Sequence, residues 1–277
     1  MVEYGPVARE VRAAVQQRVG AAFRNCSVDV DRTCAVCRAP AADELCDPCS
    51  THREAFGAQL ADRVAIFTYA QGWHPIKHQS AHIVRSYKEI PPVRESVQNM
   101  HLVVSVGTII HGACIQAAVG SKWDSVTFVP SATRPGPEHP VAELARQVFQ
   151  VKDGTTVQRF LIEIGPGFGS KSFPRDDMFV IPSASRSAVD GKHVLIVDDT
   201  WTKGTTMQSA AIAVKRAGAR AVTALCVDRW LRWDWPVHRT FLESLHNPYD
   251  PFICPILGPS CERGASLDTV LTDPTRS

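Results

Sequence analysis

From residue 61 onward, the sequence alternates apolar segments typical of strands with segments that have the apolar spacing of helices. The strand-like segments are apolar on both faces, which favours a parallel sheet with helices on either side. We therefore expect an α/β fold with a mostly parallel, doubly wound sheet. The expected strands are RVAIFTYA, WDSVTFVPS, RFLIEI, MFVIPS, HVLIVDD and AVTALCVDRW, and the expected helices are VRESVQNMHLVVSVGTIIHGACIQAAVG, PVAELARQVFQ and TTMQSAAIAVKRAG.

The stretch HVLIVDDTWTKGTT, residues 193 to 206, joins an apolar strand directly to two aspartates, a turn and a helix. Ligands of such sheets bind at the carboxyl ends of strands, where Asp198 and Asp199 are expected. Adjacent carboxylates repel each other and are best tolerated with a cation or ligand hydroxyl groups between them. The turn adds Gly204, several hydroxyl groups and the amide N–H groups of a helix start, which suit a phosphate. The stretch therefore predicts a site for a phosphorylated sugar.

Nine cysteines without a recognisable secretion signal indicate a reducing compartment, where thiols more often hold a metal or pack than form disulfides. Four of them, Cys34, Cys37, Cys46 and Cys49, form two Cys-x-x-Cys pairs separated by eight residues. Two such pairs complete a closed tetrahedral site, so we predict a structural Zn²⁺ ion in a small zinc-ribbon-like element. The alternatives are a redox pair or surface thiols without a metal, and His52 is a substitute ligand to consider.

The remaining cysteines are expected to have packing roles. Cys254 and Cys261 are seven residues apart and lack a second pair in the sequence, which favours packing over metal binding. Cys26, Cys114 and Cys226 lie in apolar surroundings and are predicted to be core residues.

Residues 194 to 206, VLIVDDTWTKGTT, resemble the thirteen-residue phosphoribosyl pyrophosphate (PRPP) signature of type I phosphoribosyltransferases. Together with the four-cysteine cluster, this signature is similar to the ComF-like branch of that family. The resemblance implies the type I phosphoribosyltransferase fold and displacement of pyrophosphate from C1 of the ribose by a nucleophile, often a base nitrogen. It also implies Mg²⁺ with PRPP as the cofactor and an unidentified small-molecule acceptor.

The resemblance also assigns roles to residues. Asp198 and Asp199 would bind the ribose hydroxyls, directly or through Mg²⁺, and residues 202 to 206 would enclose the 5-phosphate. A pyrophosphate loop is expected at residues 130 to 134, and Arg134 and Lys88 would stabilise the leaving pyrophosphate. A solvated loop cation is the alternative for Arg134. The residues expected to bind PRPP are Asp198, Asp199, Thr200, Thr202, Lys203, Gly204, Thr205, Thr206 and Ser131, and the catalytic candidates are Asp198, Asp199, Arg134 and Lys88.

Two features depart from the family pattern. Trp201 and Lys203 stand where the family's turn has small or aliphatic residues, and the arginine-rich stretch of ComF relatives is missing after Pro130. Lys203 would either add a phosphate contact or crowd the loop. A second hypothesis is therefore a binding module that keeps the PRPP pocket as a sensor, or that handles DNA with the zinc element as its interaction surface.

Charge and hydropathy limit the other partners. The 30 Lys and Arg nearly balance the 28 Asp and Glu, so net charge does not support binding to nucleic acid, for which a local patch would be needed. The apolar run from Leu102 is interrupted by His111 and Gln116, which favours a buried core helix over a membrane span. The amino terminus has the spacing of an amphipathic helix, not of a signal peptide. We expect a cytoplasmic protein whose oligomeric state the sequence leaves open.

Four segments are expected along the chain. They are the amphipathic helix (1–31), the four-cysteine element (32–60), the phosphoribosyltransferase-like α/β domain (61–235) and a carboxyl-terminal extension (236–277) with disordered last residues. Acceptor specificity in this family lies in a variable hood region, which we place near residues 61 to 92.

Two groups of side chains have no assigned role in the site. His74, His78 and His82 are four residues apart and would share one face of a helix that starts at Pro75, where solvent contact is favoured over metal binding. Three tryptophans follow the last core strand, and a seam that packs the tail on the sheet is favoured over stacking on a nucleobase. They are Trp230, Trp233 and Trp235.

Overall fold

The computed structural model describes residues 5–134, 136–149, 156–169 and 171–261. The strands are β1 (Arg24–Asn25), β2 (Arg63–Gly72), β3 (Ser125–Phe128), β4 (Gln158–Arg159), β5 (Glu163–Ile164), β6 (Phe179–Val180), β7 (His193–Trp201) and β8 (Ala221–Arg232). Six of them form a sheet in the order β1-β2-β8-β7-β3-β4. All pairings in it are parallel except the antiparallel pairing of β1 with β2. The predicted mostly parallel α/β fold is confirmed.

Helices cover both faces of this sheet because its strands are apolar on both faces. The helices are α1 (Pro6–Val15), α2 (Asp47–Phe56), α3 (Gln79–Ser86), α4 (Arg94–Ala117), α5 (Pro140–Arg146), α6 (Thr205–Arg216) and α7 (Pro236–Glu243). Along β7, Val194 and Ile196 belong to one core cluster with residues of α6 and α7. Leu195 and Val197 alternate with them and belong to the other cluster, with residues of α3, α4 and α5. The period of two along the strand thus produces a three-layer, doubly wound fold.

The helix α4 is the element that the apolar run from Leu102 predicts. Among the described residues it is the one helix long and apolar enough to cross a membrane by length and composition. Its Met100, Val103, Val104 and Ile115 are buried in the second core cluster, against the sheet. The predicted core role of this helix therefore accounts for its apolar composition.

Two predictions of regular structure were wrong in detail. The segment RFLIEI is not one strand: β4 extends the main sheet, whereas β5 pairs antiparallel with β6 in a separate two-stranded sheet. The helix expected from Pro75 begins only at Gln79, because the ring of His78 accepts a hydrogen bond from the Ser80 N–H and caps it. The three histidines consequently do not share a helical face.

The carboxyl-terminal extension contains more structure than the sequence indicates. After α7, the N–H of Tyr249 donates to the carbonyl oxygens of Gly20 and Phe23, next to the end of α1. Asn25 and Asp250 exchange two hydrogen bonds of 2.8 Å between the Asn25 side chain and the Asp250 backbone. The described part of this extension is therefore fixed to the main body. The last residues, which were expected to be disordered, lie outside the described residues.

Candidate functional site

Asp198 and Asp199 lie where the sheet opens beside β7. The neighbouring strand β3 ends with the pairing of Phe128 and Val197, whereas on the other side the pairing of β7 with β8 continues to Trp201 and Arg229. We expected β7 to end at the aspartates, but along β8 it continues to Trp201. Both carboxylates are thus held on a paired strand, with open space only where β3 has stopped.

The two carboxylates have different surroundings because they point to opposite faces of β7. Asp199 is buried and accepts hydrogen bonds at Oδ2 from the Tyr87 hydroxyl at 2.5 Å and from Lys88 Nζ at 2.6 Å. Burial acts to raise the pKa of Asp199, but Lys88, Tyr87 and Thr200 outweigh it and lower that pKa. Burial and the charge of Asp199 raise the pKa of Asp198 to about 8, and the more distant charges of Lys88 and Lys171 only partly oppose this.

The turn after β7 is formed around a left-handed glycine. Gly204 has a φ of 79°, and a Cβ atom at this position would lie 2.2 Å from Cζ2 of Trp201. Trp201, one of the two departures from the family pattern, is fully buried and is not among the residues that line the cleft. Arg229 stabilises the turn, since its Nη1 donates hydrogen bonds to the carbonyl oxygens of Trp201 at 2.9 Å and Thr202 at 2.6 Å.

The helix α6 begins at this turn, and its first amide N–H groups have no acceptor within the helix. The N-cap residue is Gly204, which provides no capping side chain. The hydroxyl oxygen of Thr205 is buried and has no hydrogen-bond partner among the described residues. The start of α6 therefore presents an uncapped helix dipole and an unused hydroxyl group to the same place, a combination suited to an anion.

A cleft of about 760 Å³ opens over the turn, the aspartates and the end of β3. The loop after β3 is tight, with Ser131 and Arg134 in an isolated bridge. Every residue that the sequence places at the PRPP site lines this one cleft: Lys88, Ser131, Arg134, Asp198, Asp199, Thr200, Thr202, Lys203, Gly204, Thr205 and Thr206. Segments separated by more than 100 residues in the chain therefore meet at one surface.

Sequence reasoning missed three polar residues of the cleft, namely Arg85, His139 and Lys171. His139 caps α5 by accepting from the Val141 N–H, and Lys171 acts on Asp198 by its positive charge. The His-Pro pair at the start of α5 is a usable helix-start signal, but Lys171 lies in an irregular segment without a pattern. A third carboxylate near the site, that of Asp228, is buried and accepts a hydrogen bond from the Thr200 hydroxyl at 3.0 Å.

The three tryptophans lie in different places and do not form one seam. Trp230 lines the cleft, and the Arg85 guanidinium lies 5.0 Å from its ring centroid. Trp233 packs on His74 with ring centroids 4.3 Å apart, and Trp235 is exposed. In the region expected to hold the hood, β2 is part of the main sheet, and the cleft residues of this region come from α3 and the segment after it.

The four amino-terminal cysteines converge as their spacing predicts. The sulfur atoms of Cys34, Cys37, Cys46 and Cys49 lie within 4.8 Å of one another, and three of the four side chains are buried. The sulfurs of Cys37 and Cys46 are 3.5 Å apart. This cluster could hold a metal ion. His52 is not part of it, because its ring packs edge-on against Phe173 with a centroid distance of 5.4 Å.

The cysteine cluster and the turn of the cleft meet at Arg229. Burial acts to lower the pKa of this guanidinium, but the sulfurs of Cys37 and Cys46 outweigh it and raise that pKa. Cys34, Cys37 and Trp201 belong to the same core cluster. Arg229 therefore binds the carbonyl groups of the turn and also interacts electrostatically with the cysteine sulfurs.

No protein-family model and no curated protein sequence matches the chain. Among solved structures, it is similar to the allosteric regulatory enzyme of purine biosynthesis (17% identity, TM-score 0.31, 52% of this chain and 29% of that one). It is also similar to a phosphoribosyltransferase from Corynebacterium diphtheriae (18% identity, TM-score 0.29, 55% of this chain and 92% of that one). A third is orotate phosphoribosyltransferase from Mycobacterium tuberculosis H37Rv (16% identity, TM-score 0.26, 48% of this chain and 72% of that one).

Proposed function

We propose that this chain is a ComF-like phosphoribosyltransferase that binds PRPP with Mg²⁺ in the cleft and transfers phosphoribose to a small-molecule acceptor. The observation that carries the proposal is the position of the Thr205 hydroxyl, which is buried without a partner among the described residues and lines the cleft. A buried hydroxyl without a partner costs free energy, and a bound phosphate oxygen would accept its hydrogen bond. The adjacent amide N–H groups of α6 would bind the same phosphate.

The carboxylates fit the sugar. In the proposed complex, Asp198 and Asp199 accept hydrogen bonds from the ribose hydroxyls or hold Mg²⁺ through oxygen atoms, the ligand type that this ion prefers. Burial and the charge of Asp199 raise the pKa of Asp198 because they disfavour its negative charge, and a bound cation would favour that charge. The residues present therefore fit Mg²⁺.

The positive charges of the cleft fit the leaving group. In the reaction, the bond between C1 of the ribose and a pyrophosphate oxygen breaks, and its electron pair leaves with the pyrophosphate. The acceptor nucleophile forms the new bond to C1 and gives up its proton. Lys88 and Arg134 line the cleft and would stabilise the charge that develops on pyrophosphate. Mg²⁺, when bound, would supply further charge stabilisation to the same oxygens.

The amino-terminal cysteine cluster is proposed to hold a structural Zn²⁺ ion. Four thiolates are the donor set of closed zinc sites, and a tetrahedral ion with Zn–S bonds of about 2.3 Å has S···S edges of about 3.8 Å. The distance of 3.5 Å between the sulfurs of Cys37 and Cys46 is close to this value.

Calorimetric titration of Mg²⁺ and PRPP into the full chain tests the proposed site. The wild type should bind, and the double variant Asp198→Asn, Asp199→Asn should not. The matched control is Asp176→Asn, Asp177→Asn, an adjacent aspartate pair that lies outside the cleft and should bind as the wild type does. A folded wild type that does not bind PRPP would contradict the proposal.

Turnover is tested separately by pyrophosphate release with nucleobases as acceptors. Release that depends on both PRPP and one acceptor would support the transferase. Binding of PRPP without release with any acceptor would favour the sensor hypothesis, and salt-dependent binding of single-stranded DNA would favour the DNA-handling one.

A further inference from the structure

We propose that the chain has a second structural zinc site, formed by His111, Cys114, Cys254 and Cys261, which attaches the carboxyl-terminal segment to α4. The four ligand atoms lie within 4.8 Å of one another, and all four side chains are buried. The sequence does not reveal the site, because its two halves are about 140 residues apart. Cys114, Cys254 and Cys261 are buried in one core cluster, as expected for packed residues. The second pair of ligands that Cys254 and Cys261 lack in the sequence comes from His111 and Cys114 of α4.

Each half of the site contributes two ligands on a fixed local structure. His111 and Cys114 are three residues apart on α4, so their side chains point to the same side of the helix. Cys254 and Cys261 flank a tight loop in which Cys254 and Gly258 exchange backbone hydrogen bonds. Within that loop, the N–H of Ile256 donates to the sulfur of Cys254 at 3.4 Å, which favours the thiolate form that a metal needs.

The distances between ligand atoms fit a tetrahedral ion. The sulfurs of Cys114 and Cys261 are 3.6 Å apart, close to the S···S edge of about 3.8 Å that Zn–S bonds of about 2.3 Å require. Nδ1 of His111 lies 4.0 Å from the sulfur of Cys261. The sulfur pair is too far apart for a disulfide, whose S–S bond is about 2.05 Å.

The ring of His111 is oriented as a metal ligand. Its Nε2 lies 3.0 Å from the carbonyl oxygen of Pro251, to which it donates its proton. This hydrogen bond leaves Nδ1 with the free lone pair of the neutral ring, on the side of the Cys261 sulfur. Metal-ligating histidines commonly donate the other ring N–H to a backbone carbonyl in this way. Pro251 belongs to the same segment as Cys254 and Cys261. Its hydrogen bond to His111 therefore helps to hold the ring and the two cysteines close together.

The segment is held in place independently of the ligands. The carboxylate of Asp250 pairs with Arg12 of α1, and the Asn25 side chain exchanges two hydrogen bonds with the Asp250 backbone. Binding a metal therefore requires little additional ordering of Cys254. Three thiolates and one imidazole that enclose a buried point leave no open coordination position, which is the composition of structural zinc sites.

The metal content of the full chain tests the proposal. Protein expressed with zinc should contain two zinc ions per chain by mass spectrometry under native conditions. The variant Cys254→Ser, Cys261→Ser should contain one, and so should Cys37→Ser, Cys46→Ser, which changes the amino-terminal cluster. The matched control is Cys226→Ala, a buried cysteine outside both clusters, which should keep two ions.

Three results would overturn the second site. They are one zinc ion in the folded wild type that the variant Cys254→Ser, Cys261→Ser retains, two ions retained by that variant, or a wild-type mass lower by two hydrogens that shows a disulfide. If the double variant does not fold, the second site can be tested by titrating the metal-free wild type with cobalt. Two tetrahedral sites should give about twice the visible absorption of one bound cobalt ion. Saturation at one cobalt ion would contradict the proposal. None of these readouts depends on PRPP binding.

Discussion

Lys88 Nζ lies 2.6 Å from Oδ2 of Asp199, so one of the two carboxylates proposed to bind the sugar is neutralised by a cation of the same cleft. The ion pair makes the two aspartates differ in ionisation. Lys88 helps to keep Asp199 ionised, whereas the pKa of Asp198 is raised. The ion pair also places the ammonium group of Lys88 beside a carboxylate proposed to bind the sugar, where it would stabilise a leaving pyrophosphate.

Substitution Lys88→Met should weaken PRPP binding by about tenfold or more, since a charge-assisted hydrogen bond contributes about 1.5–3 kcal/mol. Ribose 5-phosphate lacks the pyrophosphate, so its affinity should change much less. Calorimetric titration with both ligands measures the difference. Lys77→Met, an exposed lysine outside the cleft, is the control. Equal losses for the two ligands would show that Lys88 does not contact the pyrophosphate.

The stability of the ligand-free protein should depend on the charge of Asp198. Its pKa is raised from 3.8 to about 8 in the folded state. Between these values the folded protein binds a proton that the unfolded chain has released, so stability falls as the pH rises, by up to about 1.4 kcal/mol per pH unit. The variant Asp198→Asn should lack this contribution and gain stability relative to the wild type from pH 5 to pH 8. Urea unfolding of both proteins in magnesium-free buffer measures this difference in stability. If the stabilities of the wild type and the variant change with pH in parallel, the prediction is wrong.

Substitution Gly204→Ala should disrupt the turn for two reasons, the positive φ and the contact of the new Cβ with the Trp201 ring. We expect a loss of about 2–4 kcal/mol in the free energy of unfolding together with loss of PRPP binding. Gly191→Ala is the matched control, because its φ is 68° and a Cβ there meets nothing within 4 Å. Gly191→Ala should lower the free energy of unfolding by only about 1 kcal/mol and leave the affinity for PRPP unchanged. Equal effects of the two substitutions would contradict the role of Trp201.

Thr205→Val should separate binding from stability. The hydroxyl has no partner among the described residues, so its removal should leave the ligand-free protein as stable as the wild type or more stable by about 1 kcal/mol. The affinity for ribose 5-phosphate should fall by about tenfold. Thr240→Val, at an exposed position of α7, is the control for the substitution itself. Unchanged affinity would place the phosphate elsewhere.

Arg229→Gln should damage the cleft although Arg229 does not line it. It removes a buried charge that supports two carbonyl groups of the turn and faces the sulfurs of the cysteine cluster. Loss of one partner from such a buried network typically costs about 3–5 kcal/mol. Chemical denaturation and PRPP titration measure both effects, with the exposed Arg216→Gln as the control. Normal PRPP affinity in a destabilised variant would show that the turn does not need Arg229.

The sequence predicts those parts of the site whose residues are neighbours along the chain. The turn after β7 and the four-cysteine cluster each lie within about 16 residues, and their spacing alone indicates what they bring together. Lys171 comes from an irregular segment, and the pair of His111 and Cys254 is joined only by tertiary packing. Local pattern carries no information about such contacts, because they depend on the order of strands in the sheet.

The continuation of β7 past Asp199 to Trp201 was missed for a related reason. The apolar run ends at Val197, and the polar residues that follow resemble the start of a loop. They remain in the strand because Thr200 and Trp201 pair with Asp228 and Arg229 of β8. The hydroxyl of Thr200 also donates to the buried Asp228, whose pKa is raised by burial. Pairing with a longer neighbour thus overrides the polar composition.

The strand β8 is the last strand along the described chain, yet it lies between β2 and β7 in the middle of the sheet. During synthesis on the ribosome, β2 and β7 cannot occupy their final relative positions until residues 221–232 have emerged. Until then, the apolar side of α4 has no completed sheet to cover it. The nascent chain is therefore most prone to aggregation before translation reaches β8, and the emergence of that strand is the event that ends this exposure.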